Sequence, residues 1–113
     1  MDDLTTELAE LIARRFSALG EPTRLRLLNV MHARGEASVG ELVTAVGGTQ
    51  ANVSKHLALL LGERMVARRR EGTKAIYRLA DPTLIRLCDE VCAGVREQLQ
   101  ELSSMIDESG VPA

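Results

Sequence analysis

At 113 residues the chain is sized for one domain, residues 1–113, with a modest core and no room for a separate catalytic module. Apolar residues make up 45% of it, yet its only aromatics are Phe16 and Tyr77, so the core must be built from Leu, Val, Ile, Ala and Met, which suits packed helices better than a β-sandwich. The net charge of −2 hides an uneven distribution: residues 49–79 hold seven basic and two acidic side chains, a local +5, while the remainder stands at −7, so one segment can meet phosphate while the rest stays acidic.

Leu4, Leu8, Leu11 and Ile12 recur at helical spacing and predict an amphipathic first helix over residues 4–18, ended by Gly20. Glu21-Pro22 restarts the chain as a second helix, because proline suits the first helical position and glutamate the positive end of the helix. Its apolar face is predicted to comprise Leu25, Leu28 and Met31, with Leu27 and Val30 beside them, up to Arg34 and a stop at Gly35. Ser38-Val39-Gly40-Glu41 fits the S-x-x-E capping box and predicts a short third helix over residues 39–46. Gly47-Gly48 is then a turn and Thr49 an N-cap, and Val53, Leu57, Leu60 and Leu61 give the stripe of a fourth helix. Two short helices joined by a tight glycine turn form a helix-turn-helix.

From Val66 to Leu79 the period changes, and two runs rich in Val, Ile, Tyr and Arg flank Glu71-Gly72-Thr73, a β-hairpin or wing with a basic tip and arms. Asp81-Pro82 repeats the cap-then-proline start, and Leu84, Leu87, Val91, Val95, Leu99, Leu102 and Ile106 form the stripe of a long last helix. The tail, residues 109–113, is expected to fray. The fold class is therefore mainly α with a small β-hairpin: a winged helix-turn-helix of five helices and a two-stranded wing, in the order ααααββα. The long helix has more apolar surface than a small domain covers, which predicts a homodimer joined through Leu4, Leu8 and Leu11 of the first helix and Leu84, Leu87, Val91, Val95, Leu99 and Leu102 of the last. No stretch approaches the ~20 apolar residues a bilayer span needs, and Met1-Asp2-Asp3 lacks the basic and apolar regions of a signal peptide, so the expected location is the cytoplasm, without membrane attachment.

With the fourth-helix stripe turned inward, Thr49, Gln50, Ser54 and Lys55 are left near its exposed N-terminal half, the end a recognition helix presents to base edges. Glutamine can read adenine bidentately and lysine can serve guanine or phosphate. Ser38 and Thr49 sit at helix starts, where free backbone N–H groups favour phosphate. On the wing, alternation places Arg68 and Arg70 on one face and Arg69 on the other, with Lys74 beyond the turn. A solvated charged face is the usual meaning of such a basic run, but its place beside a helix-turn-helix favours contact with DNA.

Three motifs, in order, resemble the arsenic-repressor (ArsR/SmtB) family of bacterial regulators. Gly20-Glu21-Pro22-Thr23-Arg24-Leu25-Arg26-Leu27-Leu28 looks like its second-helix opening, Thr49-Gln50-Ala51-Asn52-Val53-Ser54-Lys55-His56-Leu57 is similar to its recognition helix, and Arg70-Glu71-Gly72-Thr73-Lys74-Ala75-Ile76-Tyr77-Arg78-Leu79 is similar to its wing. The resemblance runs from Phe16 to Leu79 and more loosely through the last helix. It implies a dimeric, sequence-specific repressor that holds an inverted-repeat operator in double-stranded DNA until an effector releases it. It also adds Asn52 and His56 to the DNA-facing residues, although a histidine beside Leu57 reads equally well as a partly buried packing or capping residue.

The chain departs from the family's metal patterns: residues 36–41 contain no thiol, the last helix lacks the His-bearing zinc pattern and offers Asp89 alone, and neither His32 nor His56 has a partner four residues on. A resident metal is therefore left open. What remains is Cys88-Asp89-Glu90-Val91-Cys92, whose thiols share a helical face with Cβ atoms about 5–6 Å apart, wider than the roughly 3.8 Å of a disulfide. Two readings stand: capture of a soft metal or metalloid such as arsenite, or reaction with an oxidant or persulfide, on one side, and two small hydrophobes packed on a dimer helix on the other. Enzyme activity is not expected, because the chain has no phosphate-cradling glycine loop, no HExxH and no nucleophile-base pairing. The competing function is a winged-helix module for protein or RNA partners without operator binding.

Overall fold

In a computed structural model that describes residues 3–108, the chain divides into two compact units, one running through Asp81 and the other beginning at Pro82. The acidic opening at Met1-Asp2 and the expected fraying of residues 109–113 lie outside the described residues. The first unit is built from α1 (Thr6–Leu19), α2 (Pro22–Arg34), β1 (Ala37–Ser38), α3 (Val39–Val46), α4 (Gln50–Gly62), β2 (Val66–Glu71) and β3 (Lys74–Leu79). The second is the single helix α5 (Thr83–Glu108).

Local capping sets most of these boundaries. Thr5, Glu21, Ser38 and Thr49 each accept a hydrogen bond from the backbone N–H three residues on, so α1 starts two residues later than its apolar pattern suggests and leaves Leu4 before the helix. Ser38 and Glu41 complete the reciprocal capping box, with the Ser38 N–H donating to the Glu41 carboxylate at 3.0 Å. At the end of α4 the left-handed position falls two residues beyond Gly62, on Arg64 at φ 60°, whose N–H donates to the Leu61 carbonyl, while the Met65 N–H reaches the Leu60 carbonyl. This is a Schellman closure with an arginine where glycine is usual, and burial of both Leu60 and Met65 supports it.

The core of the first unit comprises Leu27, Leu28 and Met31 of α2, Leu42 of α3, Val53, Leu57 and Leu60 of α4, and Met65 and Tyr77. Leu25, expected on the apolar face of α2, is exposed, because the buried side chains centre on Leu27 and Met31 and Leu25 lies about a third of a turn from them. Leu61 is only partly covered, at the edge of the α4 stripe.

The wing is the expected hairpin, paired from Val66 opposite Leu79 to Glu71 opposite Lys74; Glu71, read from the sequence as part of the connection, ends β2 instead, leaving a two-residue loop with Gly72 at φ 63°. A third strand was not foreseen: Ala37 and Ser38 pair with Tyr77 and Ile76, giving a sheet of order β1-β3-β2. Two residues are too few for a periodicity, and Ser38 reads from sequence only as a helix cap. In the structure it is both.

The turn between α3 and α4 depends on Gly47, which adopts φ 80° and ψ 179°, a region open essentially to glycine alone. A Cβ there would meet nothing within 4 Å, so the constraint lies in the backbone. Gly47→Ala is expected to cost about 1–3 kcal/mol in urea unfolding, purely through this conformation. An unchanged midpoint would show that the turn relaxes freely.

Candidate nucleic-acid interface

Helix α4 projects its polar residues because it buries Val53, Leu57 and Leu60 completely. Thr49, Gln50, Asn52, Ser54 and Lys55 are all exposed as a result. Beside the start of this helix lies a cleft of about 660 Å³, walled by the N-terminal turn of α3, the end of α2 and the tip of the wing. Ser38, Gln50, Arg70 and Lys74, picked out separately in the sequence, meet in it, and Arg34 and Thr73 join them. Sequence reading missed Arg34, which appears only as the basic residue closing α2.

The cleft has three cations and one carboxylate. Hydrogen bonds from Ser38, its backbone N–H foremost, hold the Glu41 carboxyl below the ordinary carboxylate range, so it stays anionic while it caps α3. Arg34 Nη1 stands 4.0 Å from the other Glu41 oxygen, a loose exposed pair that leaves the guanidinium available to an entering phosphate.

The three consecutive wing arginines are not equivalent. Cross-strand pairing sets Arg68 against Tyr77 and Arg70 against Ala75, so these two share one face, while Arg69 lies opposite Ile76 on the other. Arg69 donates to both oxygens of Glu36, just ahead of β1, and to Glu71 at 2.8 Å. Its hydrogen bonds hold the Glu36 carboxyl below its usual range. Arg69 therefore ties the wing to the body, and its charge is balanced internally.

His56 is drawn elsewhere. Its side chain is 15% exposed, and its Nδ1 stands 3.2 Å from Arg24 Nη1 and 3.8 Å from Glu21, on the opposite flank of α4 from the cleft. Salt bridges from Arg14 to Glu63 at 2.7 Å and from Arg15 to Asp81 at 2.8 Å attach α1 to the ends of α4 and of the wing.

The helix-turn-helix domain family matches residues 19–69, spanning α2, α3, α4 and half of the wing. A transcriptional repressor SmtB homolog from Synechocystis is 36% identical over 94 residues, covering 83% of this chain and 70% of that protein. Among solved structures, the homodimeric winged helix-turn-helix DNA-binding domain Mb0332 from Mycobacterium bovis superimposes with a TM-score of 0.76 at 33% identity, over 89% of this chain and 93% of that one. The antimony-specific transcriptional repressor AntR does so at 0.78 and 31%, over 88% and 90%. The chain belongs to the ArsR/SmtB family. It is a winged helix-turn-helix transcriptional regulator, and in a helix-turn-helix the second helix is the one that enters the major groove.

The two classes of wing arginine separate in a salt titration of operator binding. Arg70→Gln is expected to lower the slope of log K against log salt by about 0.9, the value of one phosphate contact. Arg69→Gln is expected to leave the slope as it is, because that charge already has carboxylate partners. Equal losses of slope would contradict the assignment.

Proposed function

We propose that the chain is a dimeric repressor that occupies an inverted-repeat operator and is released when an effector alters α5. The observation that carries this reading is the meeting of Gln50 with Arg70 and Lys74 in one cleft: a base-reading amide lies beside phosphate-binding cations. Gln50 reads a base, with Ser54, Lys55, Asn52 and Thr49 along the same helix, and Ser38, Arg34, Arg70 and Lys74 hold the adjoining backbone. Gln50→Ala is expected to lose about 1–3 kcal/mol of discrimination at one base position, measured by binding to a panel of singly substituted operators. Equal weakening on operator and random duplex would remove its reading role.

The dimer contacts are assigned to two apolar faces. On α1, Leu8 and Leu11 are exposed, with Leu4 ahead of the helix. On α5, Val91, Val95, Leu99, Leu102, Met105 and Ile106 are exposed, whereas Leu84 is buried and Leu87 partly covered. Such a run is larger than a soluble monomer usually leaves open. Val95→Glu or Leu99→Glu is expected to give monomers on size-exclusion chromatography with light scattering, and to lose operator binding with them, because each half-site alone forfeits the other's contacts. A monomer that binds the full operator undiminished would exclude this interface.

The effector is assigned to Cys88 and Cys92, in a cytoplasmic setting that keeps both reduced. Cys88 falls within the apolar stripe of α5 and Cys92 at its edge. Burial and, secondly, the Asp89 carboxylate push the Cys88 thiol above its ordinary range, which leaves exposed Cys92 as the first point of attack. Among the described residues no three metal-binding side chains cluster, so a soft metal or metalloid held here would take its remaining ligand from the partner or from solvent. Cys88→Ser/Cys92→Ser is expected to bind operator normally and to resist release by arsenite, peroxide or persulfide in a mobility-shift assay. Release of this variant by the same agents would reduce the thiols to packing residues. No helix among the described residues is long and apolar enough to cross a membrane.

A further inference from the structure

Helix α4 is held on its second flank by a polar anchor that base reading does not use. Arg24, in the first turn of α2, donates from Nε to the Ala18 carbonyl at 2.6 Å, from Nη2 to the Ser17 carbonyl at 3.2 Å and from Nη1 to His56 Nδ1 at 3.2 Å. A guanidinium only donates, so this contact is a hydrogen bond only with His56 Nδ1 as acceptor, the tautomer that carries its proton on Nε2. Glu21 does not compete: its carboxylate is 3.8 Å from Nδ1 and already accepts the Arg24 N–H at 2.9 Å. Among the described residues, no buried side-chain nitrogen or oxygen lacks a partner, and Nδ1 is the His56 atom that has one. Nε2 is therefore the ring nitrogen that meets solvent. Helical phase puts Gln50 and His56 on opposite sides of the buried Val53, Leu57 and Leu60 line, so Nε2 emerges on the flank away from the wing cleft, one turn after exposed Asn52.

We propose that Arg24 is a positioning residue for DNA binding, which fixes His56 as the Nε2–H tautomer so that the recognition helix carries a phosphate-facing donor on its second flank. The inference rests on α4 being the DNA-contacting helix. Phosphodiester oxygens only accept, so the tautomer decides whether His56 attracts or repels them: the opposite form would present a lone pair. The same three bonds join the end of α1 to α4 through one side chain, fixing the height at which Nε2 stands.

The test has an arm that needs no DNA. In ¹⁵N imidazole spectra of the native chain near neutral pH, His56 is expected to show a protonated Nε2 and an unprotonated Nδ1. A protonated Nδ1 overturns the proposal. Operator affinity supplies the second arm, with thermal melts to confirm that each variant is folded. His56→Gln, which keeps a donor near the Nε2 position, is expected to bind near the native level. His56→Asn and His56→Phe are each expected to lose about tenfold per half-site, the usual worth of a hydrogen bond to a charged group. Arg24→Met is expected to lose both the tautomer preference and a similar factor, without Arg24→Lys restoring either. Native-level binding by folded His56→Phe would make the histidine a packing residue and overturn the proposal while leaving the DNA reading intact. A native chain that selects no duplex at all would remove both.

Discussion

Helix α4 buries Val53, Leu57 and Leu60 completely, and a step of about 100° per residue then fixes where its remaining side chains point. Gln50 can meet the wing only because those three leucine and valine side chains are seated against α2 and α3. The glycine turn ahead of α4 and the arginine-closed end behind it set where the helix begins and stops. The functional surface is thus a by-product of core packing: a small apolar nucleus holds a polar face in one orientation. Swapping a polar residue on that face costs little stability, whereas the residues beneath it have no such freedom.

Electrostatics refines what packing sets up. The segment from α4 through the wing carries a local excess of +5, but the carboxylates decide which charges are free. Glu36 and Glu71 take up Arg69, while Glu41 is occupied with its capping bonds and only loosely engages Arg34. Of the cations left over, Arg70 and Lys74 at the tip of the wing line the cleft, together with Arg34 at the end of α2. A net charge of −2 is therefore compatible with DNA binding, since the acidic excess lies largely outside this segment and discourages contact elsewhere.

Features written in adjacent residues were legible from the sequence. The capping box at Ser38, the caps at Thr49 and the glycine stops after α2 and α3 rest on neighbours within four positions, and the α3 limits match the residues read from them. The hairpin and the alternate facing of Arg68, Arg69 and Arg70 followed from one glycine and the strand period. What escaped depends on partners far apart in the chain. Glu36 and Arg69 are separated by 33 positions and Arg24 and His56 by 32, and no local pattern announces either pair. Strand β1 is too short for a period, Leu25 has the right spacing but the wrong phase, and the end of α4 uses Arg64 where the expected sign is glycine. The cleft itself was legible only as scattered members, because four separate elements contribute to it.

The exposed apolar side chains show what the single chain leaves unfinished. In the first unit α2, α3 and α4 between them give the core Leu27, Leu28, Met31, Leu42, Val46, Val53, Leu57 and Leu60, yet α1 gives it only Ala18 and Leu19, and its earlier leucines remain outside. In α5 the stripe continues unburied from Val91 to Ile106. These residues recur at helical spacing, so they form faces, not scattered exceptions, and burying a face of that kind is worth roughly 25 cal/mol per Å². In the proposed dimer a partner copy supplies that burial and duplicates the α4 surface in the same step. Assembly and operator geometry then depend on the same side chains, and DNA occupancy becomes linked to protein concentration. In the proposed repressor, a ligand or covalent change within the α5 stripe acts through this linkage, by altering the packing that sets the separation of two α4 helices. A differential of about 1–3 kcal/mol between the packings is enough to shift occupancy tenfold or more.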